Sequence, residues 1–482
     1  MIEARPIIFF LGLLLIALAA AMLVPAAVDA ANAHPDWQAF LGGAAVCLFF
    51  GGSCVLTTRG AWKTLSVRQS FVLTVVSWVL LTAFAALPFR FAGLDLNYAS
   101  AFFEAMSGIT TTGSTTLVGL DNAPPGVLLW RAMLQWLGGI GFVVLAIAVL
   151  PMLQVGGNQL FRTEFSDPSG KTTPRIASLA AGIGMVYAGA TFACFAAYWA
   201  AGMGSFEAIA HAMTTIATGG FSTADASIGH FASPPIEMIA TLFMIVGSLP
   251  FTMLLIAARG DPLRMIRSSQ VQWFIGFLAI GTLTMAAWQV AVNDVQVLRA
   301  LRTAAFNVTS IITGTGYASE DYWRWGTFPG VAFLFFMFVG GCAGSTSCSV
   351  KIFRYQVLFL ALKTQLERLL RPHRVYVPHY DGKPLPESVT DSVFAFFFLF
   401  LLVFALLAFA LSLLGLDFVT SVSSAATAIT NVGPGLGSIV GPAGTFAELS
   451  DGAKWLLSLG MLLGRLEVFT VVVLFTSKFW RV

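Results

Sequence analysis

The chain has 482 residues, of which 57% are hydrophobic and only 10% are charged. Because soluble proteins carry roughly a quarter charged residues, this composition excludes a soluble globular protein and indicates an integral membrane protein. The formal net charge of +3 is too small for this length to indicate a nucleic-acid partner. The five cysteines have neither metal-ligand spacing nor the even number of a disulfide framework, so we interpret them as small buried residues.

Apolar segments of membrane-crossing length recur along the whole chain. A transmembrane helix needs about 20 apolar residues, and ten segments meet this requirement. They cover residues 7–28, 38–57, 70–92, 127–152, 176–200, 236–258, 271–293, 328–360, 391–414 and 453–477. The first two segments predict an N-terminal two-helix hairpin, because the repeat described next begins only after them.

Four shorter helical patterns lie between the later segments, and each runs into a turn that contains glycine. The short patterns cover residues 100–109, 205–216, 300–312 and 420–429. The turns that follow them are Thr110-Thr111-Thr112-Gly113, Thr218-Gly219-Gly220, Gly314-Thr315-Gly316 and Asn431-Val432-Gly433. None of the short patterns is long enough to cross a membrane. The chain therefore repeats the order span, half-helix, glycine turn and span four times.

The spacing of the turns supports an internal repeat. The turn glycines Gly113, Gly220, Gly316 and Gly433 are 107, 96 and 117 residues apart. The predicted fold is an all-α integral membrane protein with four pseudo-repeated helix–pore-helix–helix modules around a central pore, plus the N-terminal hairpin. The predicted boundaries are 1–62 for the hairpin and 63–160, 161–265, 266–370 and 371–482 for the modules.

Basic residues predict the orientation of the chain in the membrane. They concentrate in alternate connections, at Arg5, Arg59, Lys63, Arg68, Arg162, Lys171, Arg175, Arg259, Arg264, Arg267, residues 351–374, Lys478 and Arg481. By the positive-inside rule these connections face the cytoplasm, and so do both termini. The half-helices and glycine turns then enter from the external side.

Glycine turns at membrane depth have a natural use as an ion path. Irregular backbone inside a membrane is tolerated only where protein buries it or where it lines a wet cavity. A ring of carbonyl oxygens replaces the hydration shell of a potassium ion, and the partially negative C-terminal ends of the half-helices favour a cation. We expect one residue in each turn, the glycine, to adopt a backbone conformation closed to other residues. A single such turn is more often an ordinary surface turn, but four in register favour a pore.

Two further features lie in otherwise apolar spans. The run Gly340-Gly341-Cys342-Ala343-Gly344-Ser345-Thr346 is small and polar enough to break a helix, although close helix packing also uses glycine at this spacing. Arg465 lies near the middle of the last span, where a charge must face a cavity or pair with another helix. Glu104, Glu207 and His211 lie in the first two half-helices. The carboxylates of Glu104 and Glu207 either attract cations or only cap and brace those helices. Glu207 and His211 are four residues apart, a spacing more typical of local support than of a proton relay.

Four motifs carry a resemblance to a known family. They are Thr-Thr-Thr-Gly at 110–113, Thr-Gly-Gly-Phe-Ser-Thr at 218–223, Asn-Val-Gly-Pro-Gly-Leu-Gly at 431–437 and Gly-Arg-Leu-Glu-Val-Phe-Thr at 464–470. With them the chain resembles the Trk/Ktr/HKT family of potassium transporters, most closely the bacterial TrkH-type subunits, over nearly its whole length.

The resemblance implies a selectivity filter for a transported potassium ion, with no organic cofactor. The matching filter residues are Thr111, Thr112, Gly113, Thr218, Gly219, Gly220, Thr315, Gly316, Asn431, Val432 and Gly433. Family members with serine at the first filter glycine tend to pass sodium, so Gly113 implies a preference for potassium. In the third turn Gly314 also lies close to Gly316 in the sequence.

The resemblance also implies a gate and partners. Residues 340–346 match an intramembrane loop that obstructs the pore beneath the filter, and Arg465 matches an arginine that projects into the pore. Ser347-Cys348-Ser349 departs from the glycine-rich continuation that is usual after this loop. The expected partners are membrane lipid, a second copy in a homodimer and a cytosolic nucleotide-binding regulatory subunit of the TrkA type. The expected location is the cytoplasmic membrane of a bacterium.

We therefore expect potassium uptake driven by the membrane potential, with coupling to protons or sodium left open. The alternative is a secondary transporter of an organic solute, with broken helices around a site at the membrane midplane. That class usually has two related halves rather than four related turns. A membrane enzyme would need clustered acids, histidines or a nucleophile–base pair within the spans, and the sequence has none.

Overall fold

The computed structural model describes residues 3–60, 65–148, 172–373 and 377–481, with the backbone alone at 146–148 and 172–177. Several sequence-based expectations lie outside these residues. They concern the basic residues Lys63, Arg162, Lys171 and Arg374, the module boundaries at 62–63 and 160–161, and the end of the span 127–152.

Helices make up almost all of the described regular structure. The N-terminal hairpin contains α1 (Arg5–Ala31) and α2 (Trp37–Thr57), and the first repeat contains α3 (Val67–Ala85), α4 (Leu87–Phe91), α5 (Tyr98–Ile109) and α6 (Pro125–Ala148). The second repeat contains α7 (Thr172–Ala200), α8 (Ser205–Ile216), α9 (Pro234–Ser248), α10 (Phe251–Ala258) and α11 (Leu263–Ile266). The third contains α12 (Ser269–Asn293), α13 (Val297–Ile312), α14 (Thr327–Phe338) and α15 (Ile352–Leu370). The fourth contains α16 (Glu387–Leu413), α17 (Phe418–Thr430), α18 (Asp451–Arg465), α19 (Val468–Val472) and α20 (Ser477–Trp480).

Short elements complete the described structure. Four 3₁₀ helices cover Leu120–Asn122, Ser227–Phe231, Tyr322–Trp325 and Val473–Phe475. The polar connection after α15 forms a small antiparallel hairpin of β1 (His379–Tyr380) and β2 (Lys383–Pro384). This hairpin is the one departure from the expected all-α fold in the described part of the chain.

The predicted multi-pass membrane fold is confirmed. In the described ranges, seven helices are long and apolar enough to cross a membrane, and two bent helix pairs raise the number to nine. Large apolar side chains cover the outside of these helices, with Phe49 68% and Phe398 70% exposed. Such exposure suits a surface that faces lipid. Lipid tails are themselves apolar, so an apolar side chain there has no hydrophobic reason to be buried.

Two predicted spans are not continuous helices. The span 236–258 bends by 102° between α9 and α10, and the span 453–477 bends by 109° after α18. Pro250 lies at the first bend and has no backbone N–H with which to continue a helix. At the second bend Glu467 has a φ of 57°, a left-handed conformation that ends the right-handed helix. Arg465 is therefore the last residue of α18 rather than the middle of a straight span.

The predicted span 328–360 is also interrupted, as its small polar run suggested. Helix α14 ends at Phe338 and helix α15 begins only at Ile352. The irregular segment between them, residues 339–351, is called the intramembrane loop below. Its two ends are joined by an isolated bridge between Val339 and Val350, and Gly340 N donates to Val350 O at 2.9 Å. The chain thus leaves the helical path and returns to nearly the same place.

A buried ion pair joins the two interrupted regions. Arg354, near the start of α15, lies 2.8 Å from Glu467 at the bend after α18. The Arg354 guanidinium also lies 3.8 Å from the centre of the Phe396 ring. Because removing one partner would leave a buried charge without compensation, this pair holds the helix that follows the intramembrane loop against the last interrupted span.

Candidate ion pore

The four half-helices share one register at their C-terminal ends. Each pattern ends at an isoleucine, and the last glycine of the following turn lies four residues later in all four repeats. The isoleucines are Ile109, Ile216, Ile312 and Ile429. We call α5, α8, α13 and α17 the pore helices, and residues 110–113, 217–220, 313–316 and 430–433 filter loops 1 to 4. In this register Gly316, and not Gly314, is equivalent to Gly113, Gly220 and Gly433.

The second residue of each filter loop lies in the left-handed backbone region. Thr111, Thr218, Gly314 and Asn431 have φ values of 52°, 50°, 76° and 53°. This conformation ends a helix because it lets a later N–H reach back over the last turn. In loops 1, 2 and 4 that bond joins residues five apart, as from Gly219 N to Thr214 O at 2.9 Å. Sequence analysis missed the two threonines, because β-branched residues rarely adopt this conformation.

The glycines of loops 1 to 3 are also left-handed, so the expectation of one such residue in each loop is wrong. Gly113, Gly220 and Gly316 have φ values of 91°, 78° and 82°. Gly433 lies outside this region, and in loop 4 only Asn431 adopts it. The first three loops therefore contain two left-handed residues within three positions.

The four filter loops contact one another in chain order. A Cβ atom on Gly113 in loop 1 would overlap the carbonyl oxygen of Gly219 in loop 2. A Cβ atom on Gly220 in loop 2 would likewise overlap the carbonyl oxygen of Thr315 in loop 3. These positions accept only glycine because the backbone of the next loop occupies the space of a side chain.

The remaining two contacts close the ring. A Cβ atom on Gly316 in loop 3 would lie 2.7 Å from Gly433 N in loop 4. One on Gly433 would lie 3.2 Å from Thr112 O in loop 1. Ser114 Oγ, just after loop 1, donates to Gly433 O at 2.7 Å across the same contact. The loops thus form a closed ring in the order 1, 2, 3, 4.

The pore helices are held by glycines in the spans that follow them. A Cβ atom on Gly138 or Gly464 would overlap the carbonyl oxygen of Ile109 or Ile429, the isoleucine of its own repeat. In the second repeat a Cβ atom on Gly247 would lie 2.9 Å from Ile216 O. Close helix contact at glycine is the usual way to pack helices in a membrane. Here it places the negative end of each pore helix at a filter loop.

The polar residues of the first two pore helices brace the loops. The buried Glu104 carboxylate accepts from Thr116 N at 2.8 Å and from Arg131 Nε at 2.8 Å. Arg131 also donates to Ser222 O at 2.7 Å, which ties the first repeat to the second. Because the Glu104 charge is paired and buried, it has no free face toward an incoming cation. The bracing alternative therefore accounts for Glu104.

Glu207 and His211 have local structural contacts. The Glu207 carboxylate accepts from Gly204 N at 3.3 Å, which caps the start of α8. A ring nitrogen of His211 contacts Ser222 Oγ at 3.0 Å, and the other contacts Glu207 O at 2.8 Å. Both ring nitrogens are thus engaged close to filter loop 2.

The intramembrane loop lies against the interrupted span of the second repeat and the end of its pore helix. Cys342 N donates to Ser248 O at 3.0 Å, and Thr346 N donates to Gly247 O at 3.2 Å. These carbonyls are free to accept because the helix break at Pro250 leaves them without helical partners. Thr346 Oγ1 also donates to Ile216 O, at the end of the second pore helix, at 2.9 Å.

Arg465 binds the intramembrane loop rather than a carboxylate. Its Nη1 donates to Thr346 O at 3.1 Å and contacts Cys348 Sγ at 2.6 Å, and its guanidinium lies 4.1 Å from the centre of the Phe142 ring. The described residues give Arg465 no ion pair, so the alternative of a structural ion pair with another helix has no support. Cys348 Sγ in turn lies 3.4 Å from Thr111 Oγ1 in filter loop 1.

Sequence analysis missed a second cation in this region. Lys351 is buried, and its Nζ donates to Ser345 Oγ at 3.2 Å and to Ser347 O. It also lies 5.7 Å from the centre of the same Phe142 ring that Arg465 contacts. The positive-inside rule places Lys351 at the start of a cytoplasmic segment, because it opens the basic stretch 351–374.

Comparisons with known proteins agree with this geometry. The sequence model of the TrkH family, described as a cation transport protein, matches residues 36–482. The chain is 45% identical to the Trk system potassium uptake protein TrkI of Halomonas elongata, across 99% of this chain and 97% of that protein. It is 39% identical to TrkH of Salmonella typhimurium across 99% of each chain. The crystal structure of the potassium transporter TrkH from Vibrio parahaemolyticus matches with a TM-score of 0.92 and 36% identity, over 99% of this chain and 100% of that one.

Substitution of Gly220 by alanine tests the ring contact. Gly119 is a matched control, since both glycines have a φ of 78° but no atom lies within 4 Å of a Cβ on Gly119. Both alanine variants carry about 1–2 kcal/mol of left-handed strain, but only Gly220→Ala forces loops 2 and 3 apart. We expect Gly119→Ala to keep cation flux in proteoliposomes and Gly220→Ala to lose it. Equal flux from the two variants would contradict the contact.

Proposed function

The chain belongs to the TrkH family of cation transport proteins, and we propose that it takes up potassium through the ring of filter loops. The closed ring of four loops, each in backbone contact with the next, carries this proposal. Its relatives are named potassium uptake proteins. The family transports cations, so the chain is a transporter and not an enzyme.

Backbone carbonyls of the four loops would replace the hydration shell of the ion. The proposed filter residues are Thr111, Thr112, Gly113, Thr218, Gly219, Gly220, Thr315, Gly316, Asn431, Val432 and Gly433. The four pore helices direct the negative ends of their dipoles to the same ring, which stabilises a cation there. Each loop supplies only about one equivalent glycine, so we propose looser discrimination between potassium and rubidium than a dedicated potassium channel achieves.

The intramembrane loop and Arg465 form the proposed gate. Residues 340–346 bond to the interrupted span at Gly247 and Ser248 and to the end of the second pore helix at Ile216. Arg465 adds a positive charge that repels a cation leaving the filter. Since its Nη1 bonds hold the loop at Thr346 and Cys348, movement of the loop would remove the barrier and the charge together.

We also propose a module organisation, an orientation and partners for the chain. The modules would cover 63–160, 161–265, 266–370 and 371–482 after the hairpin at 1–62, with both termini in the cytoplasm of a bacterium. The relatives belong to a system named Trk, which supports an assembly with other components. We propose a homodimer that binds a regulatory subunit of the TrkA type.

Substitution of Gly113 by serine tests the filter. In a bacterial strain that lacks potassium uptake, we expect the parent chain to restore growth at low potassium. Gly113→Ser should lose this rescue or take up sodium, because a side chain at Gly113 meets the loop 2 carbonyl that faces it. Gly119→Ser is the control, and rescue by both variants with unchanged sodium uptake would refute the assignment. If no variant rescues, co-expression with the regulatory subunit is the next experiment.

Substitution of Arg465 by methionine tests the gate. Methionine keeps much of the volume but removes the charge and the bonds to Thr346 and Cys348. We expect potassium leak into proteoliposomes to rise about tenfold, which corresponds to ~1.4 kcal/mol of barrier. Arg324→Met is the control, because the Arg324 side chain is 83% exposed and pairs only with Asp321 in the described structure. An unchanged leak in Arg465→Met would remove Arg465 from the gate.

A further inference from the structure

One buried side chain outside the filter loops holds filter loop 2 from behind. Gln135 lies on α6, four residues after Arg131 and therefore on the same face of the helix. It is fully buried. Its Nε2 donates to Gly219 O at 2.6 Å, and its Oε1 accepts from Phe221 N at 3.0 Å. Together with the Arg131 bond to Ser222 O, these contacts hold residues 219–222 against a span of the first repeat.

The double glycine of loop 2 follows from this clamp. A Cβ atom on Gly219 would lie 2.5 Å from Gln135 Oε1 and 2.8 Å from Nε2. A side chain at Gly220 is excluded for a different reason, because the carbonyl oxygen of Thr315 in loop 3 occupies its place. The two glycines therefore serve two neighbours on opposite sides of the loop. Gly219 lets the amide approach, and Gly220 closes the ring.

The clamp determines where the Gly220 carbonyl points. The described chain has no cis peptide bond, and in a trans peptide the C=O and N–H groups point in opposite directions. Phe221 N–H points to Gln135 on the α6 side of the loop. The carbonyl of Gly220, in the same peptide unit, must then point away from α6. The Gly219 carbonyl is engaged by Gln135 and is not free to take that direction.

We propose that Gln135 is a positioning residue for ion selectivity, which turns the Gly220 carbonyl toward the ion path and keeps the Gly219 carbonyl out of it. The inference rests on the proposed function, because it assigns an orientation to one carbonyl of the proposed filter. A primary amide suits this role because it carries both a donor and an acceptor and can hold both peptide groups at once. Without the amide, the 219–221 peptides can rotate and present a different set of oxygens to the ion.

The test variant is Gln135→Met, which keeps the length of the side chain. It lacks the amide N–H that donates to Gly219 O and the carbonyl oxygen that accepts from Phe221 N. Gln289→Met is the matched control, since Gln289 is also a buried glutamine of a span and its described bond is to Asn293. Potassium and sodium uptake are measured in proteoliposomes. Thermal stability in detergent is measured in potassium and in sodium, because an ion that binds the folded state raises that stability.

We expect Gln135→Met to retain potassium uptake while its preference for potassium over sodium falls about tenfold, the equivalent of ~1.4 kcal/mol. The extra thermal stability in potassium should fall with it, and Gln289→Met should match the parent in both measurements. An unchanged preference in Gln135→Met would overturn the proposal and leave Gln135 as a packing residue. If the parent chain itself transports no potassium, the proposed function fails instead.

A second variant covers failure of the first to fold. Gln135→Asn keeps the amide but is one methylene shorter, so it can hold only one of its two partners. We expect a folded protein whose preference for potassium lies between those of the parent and Gln135→Met. If Gln135→Asn and Gln135→Met both fail to fold while Gln289→Met folds, Gln135 is needed for folding and the proposal is wrong.

Discussion

Backbone contact between neighbouring filter loops is the constraint on which the rest of the structure depends. Four separate segments meet in one ring only because the glycine of each loop leaves room for the next loop where a side chain would otherwise lie. The half-helices must then end together, and glycines in the following spans hold three of their last turns. A membrane tolerates such irregular backbone only around a wet cavity or inside protein. The ring therefore explains both the internal repeat and the use of glycine at its equivalent positions.

The interrupted spans follow from the same need to satisfy backbone groups. Each break leaves carbonyls or amides without helical partners, and the structure pairs the breaks with one another. The break at Pro250 frees the carbonyls of Gly247 and Ser248, which accept from the intramembrane loop. The break after Arg465 brings that arginine to the loop and Glu467 to Arg354. The broken helices thus hold the intramembrane loop against the end of the second pore helix.

Sequence reasoning reached the features that depend on local pattern. Apolar length predicted the spans, and the periodic recurrence of half-helix and glycine predicted the four pore modules. Sequence reasoning did not predict contacts between residues that are distant in the sequence. Thr111 and Thr218 are left-handed, against the usual preference of β-branched residues. The clamp of Gln135 on Gly219 and the contact of Lys351 with Ser345 join elements that no spacing relates. Hydropathy predicts straight spans through the bends after Ser248 and Arg465, because it depends on the length of an apolar segment and not on its direction.

Direct location of the ion tests the central claim, that the four loops enclose one cation path. Crystals of the protein grown in rubidium would be measured by anomalous diffraction at the rubidium edge. The account predicts a rubidium peak inside the ring of Gly113, Gly220, Gly316 and Gly433, coordinated by backbone carbonyls of the filter loops, with the intramembrane loop and Arg465 on its inner side. A ring without rubidium, together with a peak at another site between the spans, would contradict it.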